Sequence, residues 1–231
     1  MSEPRGWARL AGLLWIVTIG FGVFAEGFVR GRLITDDAAS TLSNIFANEA
    51  FYRLGETALF IGTAAYLALT AIMYQLLAPV GRTLSLIAAL FSTAGCVIWM
   101  LVLVPDAAPL VLLTNGQGSE TARDVAFALL QLHPEALLLG MACFGVHCIL
   151  MGWLVARGGF LPAIIGLILA LGGACYLTAG ILHVAAPGLS APFGRMLFIP
   201  GELGEALMGL WLALTGVNAA KWKALASNNG A

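Results

Sequence analysis

The sequence predicts an all-α, polytopic membrane bundle of six transmembrane helices with both termini in the cytoplasm. Three observations carry that expectation. The 231 residues are 60% hydrophobic and only 10% charged, whereas about 25% of residues are charged in an ordinary soluble domain. The apolar residues fall in runs of about 20, rather than in the stripes of a surface helix. The net charge of -1 comes from 11 basic and 12 acidic residues scattered along the chain, which offers no electrostatic footprint for nucleic acid. The lipid bilayer is therefore the expected partner, and nucleic acid is excluded.

The first run covers residues 7–29. Arg5 and Arg9 precede it, and Val23-Phe24-Ala25 resembles a small-residue cleavage site. The apolar stretch is nevertheless longer than the roughly 7–15 residues of a signal-peptide core, so the segment is expected to stay as a helix. The other runs are 52–77, 84–104, 134–155, 161–184 and 197–217. Each can cross about 30 Å of hydrocarbon at about 1.5 Å per residue, and together the six form a single transmembrane domain over residues 1–231.

Arg5, Arg9, Arg82, Arg157, Lys221 and Lys223 fall on one side in short segments, while Arg30, Arg32, Arg53, Arg123 and Arg195 are spread over longer connections. The denser positive side is the cytoplasmic one. Tight turns at 78–83 and 156–160 make the helices on either side of each turn antiparallel neighbours. The outer connections are longer and hold two amphipathic pieces. In one, Asp36 or Asp37 can cap a helix carrying Leu42, Ile45 and Phe46. The other begins at Ser119 and carries Val125, Ala126, Leu129, Leu130 and Leu132. A shift of 79 residues superposes Glu56 on Glu135 and Cys96 on Cys175, a faint echo of one helical hairpin by another.

The ionisable residues gather toward the outer face. Glu26 closes the first run, Arg53 and Glu56 open the second, and Asp106 follows the third. His133 and Glu135 open the fourth, His183 ends the fifth, and Arg195, Glu202 and Glu205 lead into the sixth. Three descending helices thus bring a glutamate to about one height, and Glu202 and Glu205, at i and i+3, share a face. Carboxylates and imidazoles converging there could bind a lipophilic small molecule, ligate a divalent metal through His133, Glu135, His183 and Glu205, or exchange protons as acid and base. The plainer alternative is anchoring. Glu56 and Glu135 each precede an aromatic residue, Tyr74 and Trp153, by 18 positions, about 27 Å of helix, which would set both glutamates at the outer interface. Pro134 suits a first helical turn, and Arg53 and Arg195 could neutralise the acids.

His147 is the one deep ionisable residue. It follows His133 by 14 positions, about 21 Å of rise, so the two cannot share an ion. It is expected to bond a neighbouring helix, although a deep ionisable group is also a functional candidate. A haem is not expected, because His183 stands too near the far surface to be the second axial ligand. Cys96, Cys143, Cys148 and Cys175 lie in apolar runs without a C-x-x-C spacing and read as small hydrophobes.

The segments 48-NEAFYRLG-55, 144-FGVHCILMGWL-154, 158-GGFLPAIIGLILALGGACYL-177 and 201-GELGEALMGLWLALTGV-217 resemble the bacterial multi-pass membrane family catalogued as domain of unknown function 4386. The likeness runs from about Trp7 to Trp222, with Gly158 standing where many relatives have serine. It implies a helical domain in a bacterial cytoplasmic membrane and brings no established activity. The residues leave three functions open: a pocket for a lipophilic molecule or a metal, an intramembrane enzyme acting on a lipid or isoprenoid-like substrate, and a proton-linked carrier or accessory subunit of a larger complex.

Overall fold

The computed structural model describes residues 3–114, 117–190 and 194–228, apart from the side chains of 189, 190, 194 and 195. Among the described residues the regular elements are helices, with one isolated bridge between Thr114 and Gln117. The long elements are α1 (Pro4–Leu33), α2 (Ala38–Ala47), α3 (Glu49–Leu101), α4 (Glu120–Leu130), α5 (Leu132–Gly158), α6 (Ala163–Ala185), α7 (Ile199–Leu214) and α8 (Ala219–Asn228). Among the described residues, four continuous helical stretches are long and apolar enough to cross a membrane: Pro4–Leu33, Glu49–Leu112, Glu120–Gly158 and Ala163–Ala185. A fifth is added if α7 and α8, bent by 100° from one another, count as one span.

The stretch Glu49–Leu112 contains two of the apolar runs recognised in the sequence. Helix α3 is interrupted at Gly81, where φ is -174° and ψ is 92°, and the chain folds back on itself. Residues on opposite sides of the break then meet. Ser85 Oγ donates to the carbonyl of Tyr74 at 2.9 Å, the Thr70 and Ser92 hydroxyls lie 2.6 Å apart, and the Tyr52 hydroxyl donates to the carbonyl of Asp106 at 2.8 Å. Pro79 just before the break cannot supply a helical N–H, so the turn falls where the backbone is already interrupted.

The second hairpin, α5 with α6, turns through Gly159, whose φ of +69° places it in the left-handed region that favours glycine. Pro162 stands at the N-cap of α6, one position before the helix rather than inside its first turn. Glycines spaced by seven then draw the two antiparallel helices into backbone contact. A Cβ on Gly152 would lie 2.3 Å from the carbonyl oxygen of Gly166, and one on Gly145 would lie 2.7 Å from that of Gly173. Such small-residue seams replace the hydrophobic driving force that lipid removes.

Helix α1 packs on α3 and α7, α3 on α5, α5 on α6, and α6 on α7, which closes the bundle into a ring. Its centre is filled by Trp15, Tyr66, Phe144, Met151, Tyr176 and Met208. At one end Arg5 Nε and Arg9 Nη2 donate to the carbonyls of Thr215 and Leu214, both at 3.2 Å, satisfying carbonyls that the end of α7 leaves without a helical partner. Helix α8 folds under the bundle after Gly216, and Trp222 Nε1 donates to the carbonyl of Leu76 at 2.8 Å. At the other end the two amphipathic pieces take the expected caps. Asp37 accepts from the Ser40 N–H at 2.7 Å and Ser119 from the Ala122 N–H at 3.2 Å. They pack on each other through Leu42 and Ala126, while Leu130 joins Val29, Ile45 and Tyr52.

Placing valine at Gly152 forces its side chain into the backbone of α6, so Gly152→Val is expected to cost about 1–3 kcal/mol, the range for overpacking a core. Gly6→Ala, whose Cβ meets nothing within 4 Å, should cost nothing. Unfolding of both variants in mixed micelles, followed by circular dichroism, measures the difference.

Candidate functional site

The sequence places the polar residues by height alone; the structure divides them among separate sites. One centre lies where α1, the end of the second arm of α3 and the start of α5 meet. Residues 23–30 of α1 form a π-helical turn, with the Gly31 N–H reaching back to the carbonyl of Glu26. Such wider turns recur at functional positions, and this one carries both Glu26 and Arg30. Asp106, wholly buried, closes a short helical turn, Leu103–Asp106, that follows α3. His133, 2% exposed, enters from the first turn of α5.

These four side chains form a continuous network. His133 Nδ1 lies 2.6 Å from Asp106 Oδ2, and its Nε2 lies 3.1 Å from both carboxylate oxygens of Glu26. Arg30 Nη1 stands 3.2 Å from Asp106 Oδ1, and Arg30 Nε 3.7 Å from Glu26 Oε2. The Arg30–Asp106 contact is an ion pair too poorly angled for a hydrogen bond, so Arg30 Nη1 and Asp106 Oδ1 are both buried without one. Glu56 approaches the same charges from α3, and its Oε2 is a third buried atom without a hydrogen bond. Three carboxyls therefore share one guanidinium and one imidazole. Because a carboxylate oxygen can only accept, a proton must sit between His133 Nε2 and Glu26, on one or the other.

A cavity of about 270 Å³ opens beside this network. Its polar wall is Glu26, Arg30, Gln131 and His133, and its apolar wall is formed by Ile34, Leu130, Pro134 and Leu137. Glu26, with 31% of its side chain accessible, is the member of the network that faces outward.

The other residues singled out by the sequence lie elsewhere. Glu135 pairs with His183 in an accessible contact between α5 and α6. Arg53 pairs with Glu49 one turn earlier on α3, at 2.8 Å and largely in the open. Glu202 is exposed. The side chain of Arg195 lies outside the described residues. Glu205 sits in the bundle, where it accepts from the hydroxyls of Tyr66 at 2.7 Å and Tyr176 at 3.2 Å. His147 bonds the neighbouring helix, as its depth requires, with Nδ1 donating to the carbonyl of Ala88 at 2.9 Å.

His133, Glu135, His183 and Glu205 are one possible set of metal ligands in the sequence. The four residues face three different sets of partners, and among the described residues no group of three or more His, Cys, Asp or Glu is arranged to hold a metal. His133 and Glu135 are two positions apart, about 200° around a helix, so they point to opposite sides. The partners that the sequence reading left out of the site are Arg30, Asp106, Glu26 and Tyr52. Their signal was available: Glu26 and Arg30 stand at i and i+4, and Asp106 follows a proline at the end of an apolar run.

A family model described as Domain of unknown function (DUF4386) matches residues 10–216. Comparison with curated proteins and with solved structures returns no match.

Asp106→Asn would leave Arg30 and His133 without their shared counter-charge. Breaking a buried ion pair from one side costs about 3–5 kcal/mol, so this variant should unfold well before the parent. Glu202→Gln, on an exposed position, should match the parent in the same thermal unfolding series.

Proposed function

We propose that the chain, which belongs to the DUF4386 family, is a six-span protein of a bacterial cytoplasmic membrane whose cavity beside Glu26 and His133 binds the polar end of a small lipophilic molecule. The fold-back at Gly81 favours two spans within α3. Helix α7, with 16 residues and so about 24 Å of rise, favours a further span. Arg5, Arg9, Lys221 and Lys223 near the two ends support cytoplasmic termini.

One observation carries the binding reading: a cavity with one apolar wall and one polar wall stands against a network whose deepest member, Asp106, fixes the ring of His133. Ligand sites are typically apolar clefts with a few convergent polar groups. A site built only to anchor helices has no use for a cavity on its polar side, and the buried Arg30, Asp106 and Glu56 atoms without hydrogen bonds lie at the same place. A metal is the weaker reading, because both ring nitrogens of His133 already face carboxyls.

A second reading is favoured by the Asp106–His133 contact itself. A buried carboxylate bonded to one imidazole nitrogen orients the ring for proton transfer at the other. With Glu26 at that second nitrogen, the pair could move a proton to or from a bound lipid or isoprenoid-like substrate.

The binding reading is tested by extracting small molecules from purified protein and comparing the parent with Glu26→Gln and His133→Gln by mass spectrometry. A lipophilic compound retained by the parent and reduced at least tenfold in both variants, at unchanged melting temperature, is expected. Equal recovery from all three proteins would reduce the network to a helix anchor. A compound recovered in altered form only from the parent would favour the proton-transfer reading.

A further inference from the structure

A second polar centre lies between helices, away from the cavity and its network. Glu205 of α7 is held by the hydroxyls of Tyr66 from α3 and Tyr176 from α6, at 2.7 and 3.2 Å. Trp15 of α1, fully buried, sets its ring edge-on to Tyr66 with centroids 6.1 Å apart, and its indole N–H, which has no hydrogen bond, interacts with the same carboxyl. The thiol of Cys148 from α5 lies beside Tyr66 and Glu205, Cys96 of α3 lies near Tyr66, and Glu202 is the nearest charge on the same helix. Four helices thus bring neutral groups to this carboxyl. Glu26, Asp106, Glu135 and Glu49 each contact a basic side chain. Among the described residues Glu205 forms no ion pair.

An anion enclosed by neutral donors is costly in a membrane interior, where two phenols replace a full hydration shell. A carboxylic acid fits the same heavy-atom positions once one phenol turns its hydroxyl hydrogen away from the carboxyl. Its O–H can donate to one phenol oxygen while its carbonyl accepts from the other, and the 2.7 Å separation to Tyr66 is ordinary for O–H···O. The helices around it pack closely. A Cβ on Gly201 would lie 2.1 Å from the Tyr176 ring, and one on Gly12 would lie 2.2 Å from the Ala213 backbone. Helix α7 therefore packs against the Tyr176 ring of α6 before Glu205 and against the backbone of α1 after it.

We propose that Glu205, with Tyr66 and Tyr176, is a proton-binding centre of the bundle, distinct from the His133 cavity, and that loss of its proton requires α7 to shift away from α6 and α1 so that water can enter. The centre does not depend on what the cavity binds.

Infrared spectroscopy of the purified protein in lipid nanodiscs at neutral pH tests the proposal. A carboxylic-acid carbonyl band is expected in the parent, moving on transfer to D2O, absent from Glu205→Gln and retained in His133→Gln. Tyr66→Phe should shift the band without abolishing it, which keeps the assignment testable if the glutamine variant folds poorly. Amide exchange of residues 199–214 should rise at a pH high enough to remove the band. A parent spectrum unchanged by Glu205→Gln, or a Tyr66→Phe spectrum identical to the parent, would overturn the proposal. So would a band that disappears on adding sodium ions at constant pH, since the site would then take a cation. Exchange in α7 that ignores loss of the band would overturn the coupling to helix movement.

Discussion

A polar group inside a hydrocarbon slab must find its partners within the chain, because no water is there to supply them. The architecture follows from how this protein meets that constraint at each depth. At one end of the bundle, Asp106 is neutralised by Arg30 and His133, residues from two other helices. The requirement to satisfy one carboxylate therefore fixes how three helix ends meet. The Tyr52 hydroxyl bonds the carbonyl of the same aspartate and brings the first arm of α3 to the same point. At the opposite end, Arg5 and Arg9 perform the equivalent service for the carbonyls of α7. Between these ends the backbone is self-sufficient, and glycine seams let it pack without side-chain interlock.

The apolar runs are legible because their length is a property of the sequence alone. Lipid thickness sets it, and no tertiary information is needed. Caps are legible for the same reason: Asp37 and Ser119 act on amides three residues away, within reach of local pattern. The turn at Gly81 is also visible as a short charged interruption between apolar runs. Its consequence, a hairpin with Thr70 against Ser92, follows from antiparallel geometry once the turn is placed.

The sequence gives an approximate height for each polar residue but not its azimuth, and it misplaces Glu205, which lies deep against Tyr66 and Tyr176. Counting residues along a helix gives depth at about 1.5 Å each, but which side of the helix meets which neighbour depends on rotation by about 100° per residue. His133 and Glu135 enter the membrane region together yet face apart, one toward Asp106 and one toward His183. Glu202 and Glu205 are separated by about 60° on the helix surface, and that difference is enough to leave one exposed and to turn the other toward two tyrosines. The π-helical turn at 23–30 adds a further rotation that no apolar periodicity records, which is why Arg30 escaped notice as a partner of Asp106. Tyr66 and Tyr176 were hidden differently. A buried aromatic residue is normal in any bundle core, and its hydroxyl matters only when a carboxyl is found opposite.

His147 shows how the same constraint can produce a deep ionisable group with a structural role. Its Nδ1–H is committed to the carbonyl of Ala88, which makes the imidazole neutral-compatible and ties α5 to the second arm of α3. Beside it lies a cavity of about 10 Å³ among Thr70, Tyr74 and Ser85, at the lower limit for one water molecule. Tyr66 lies edge-on to its ring, with centroids 6.1 Å apart, and Tyr66 in turn holds Glu205. The deep polar groups thus form a compact set joined through one tyrosine, whereas the His133 network opens into a cavity many times larger. The two centres thus differ in their surroundings: one stands beside a cavity of about 270 Å³, and the carboxyl of the other is held by two phenols.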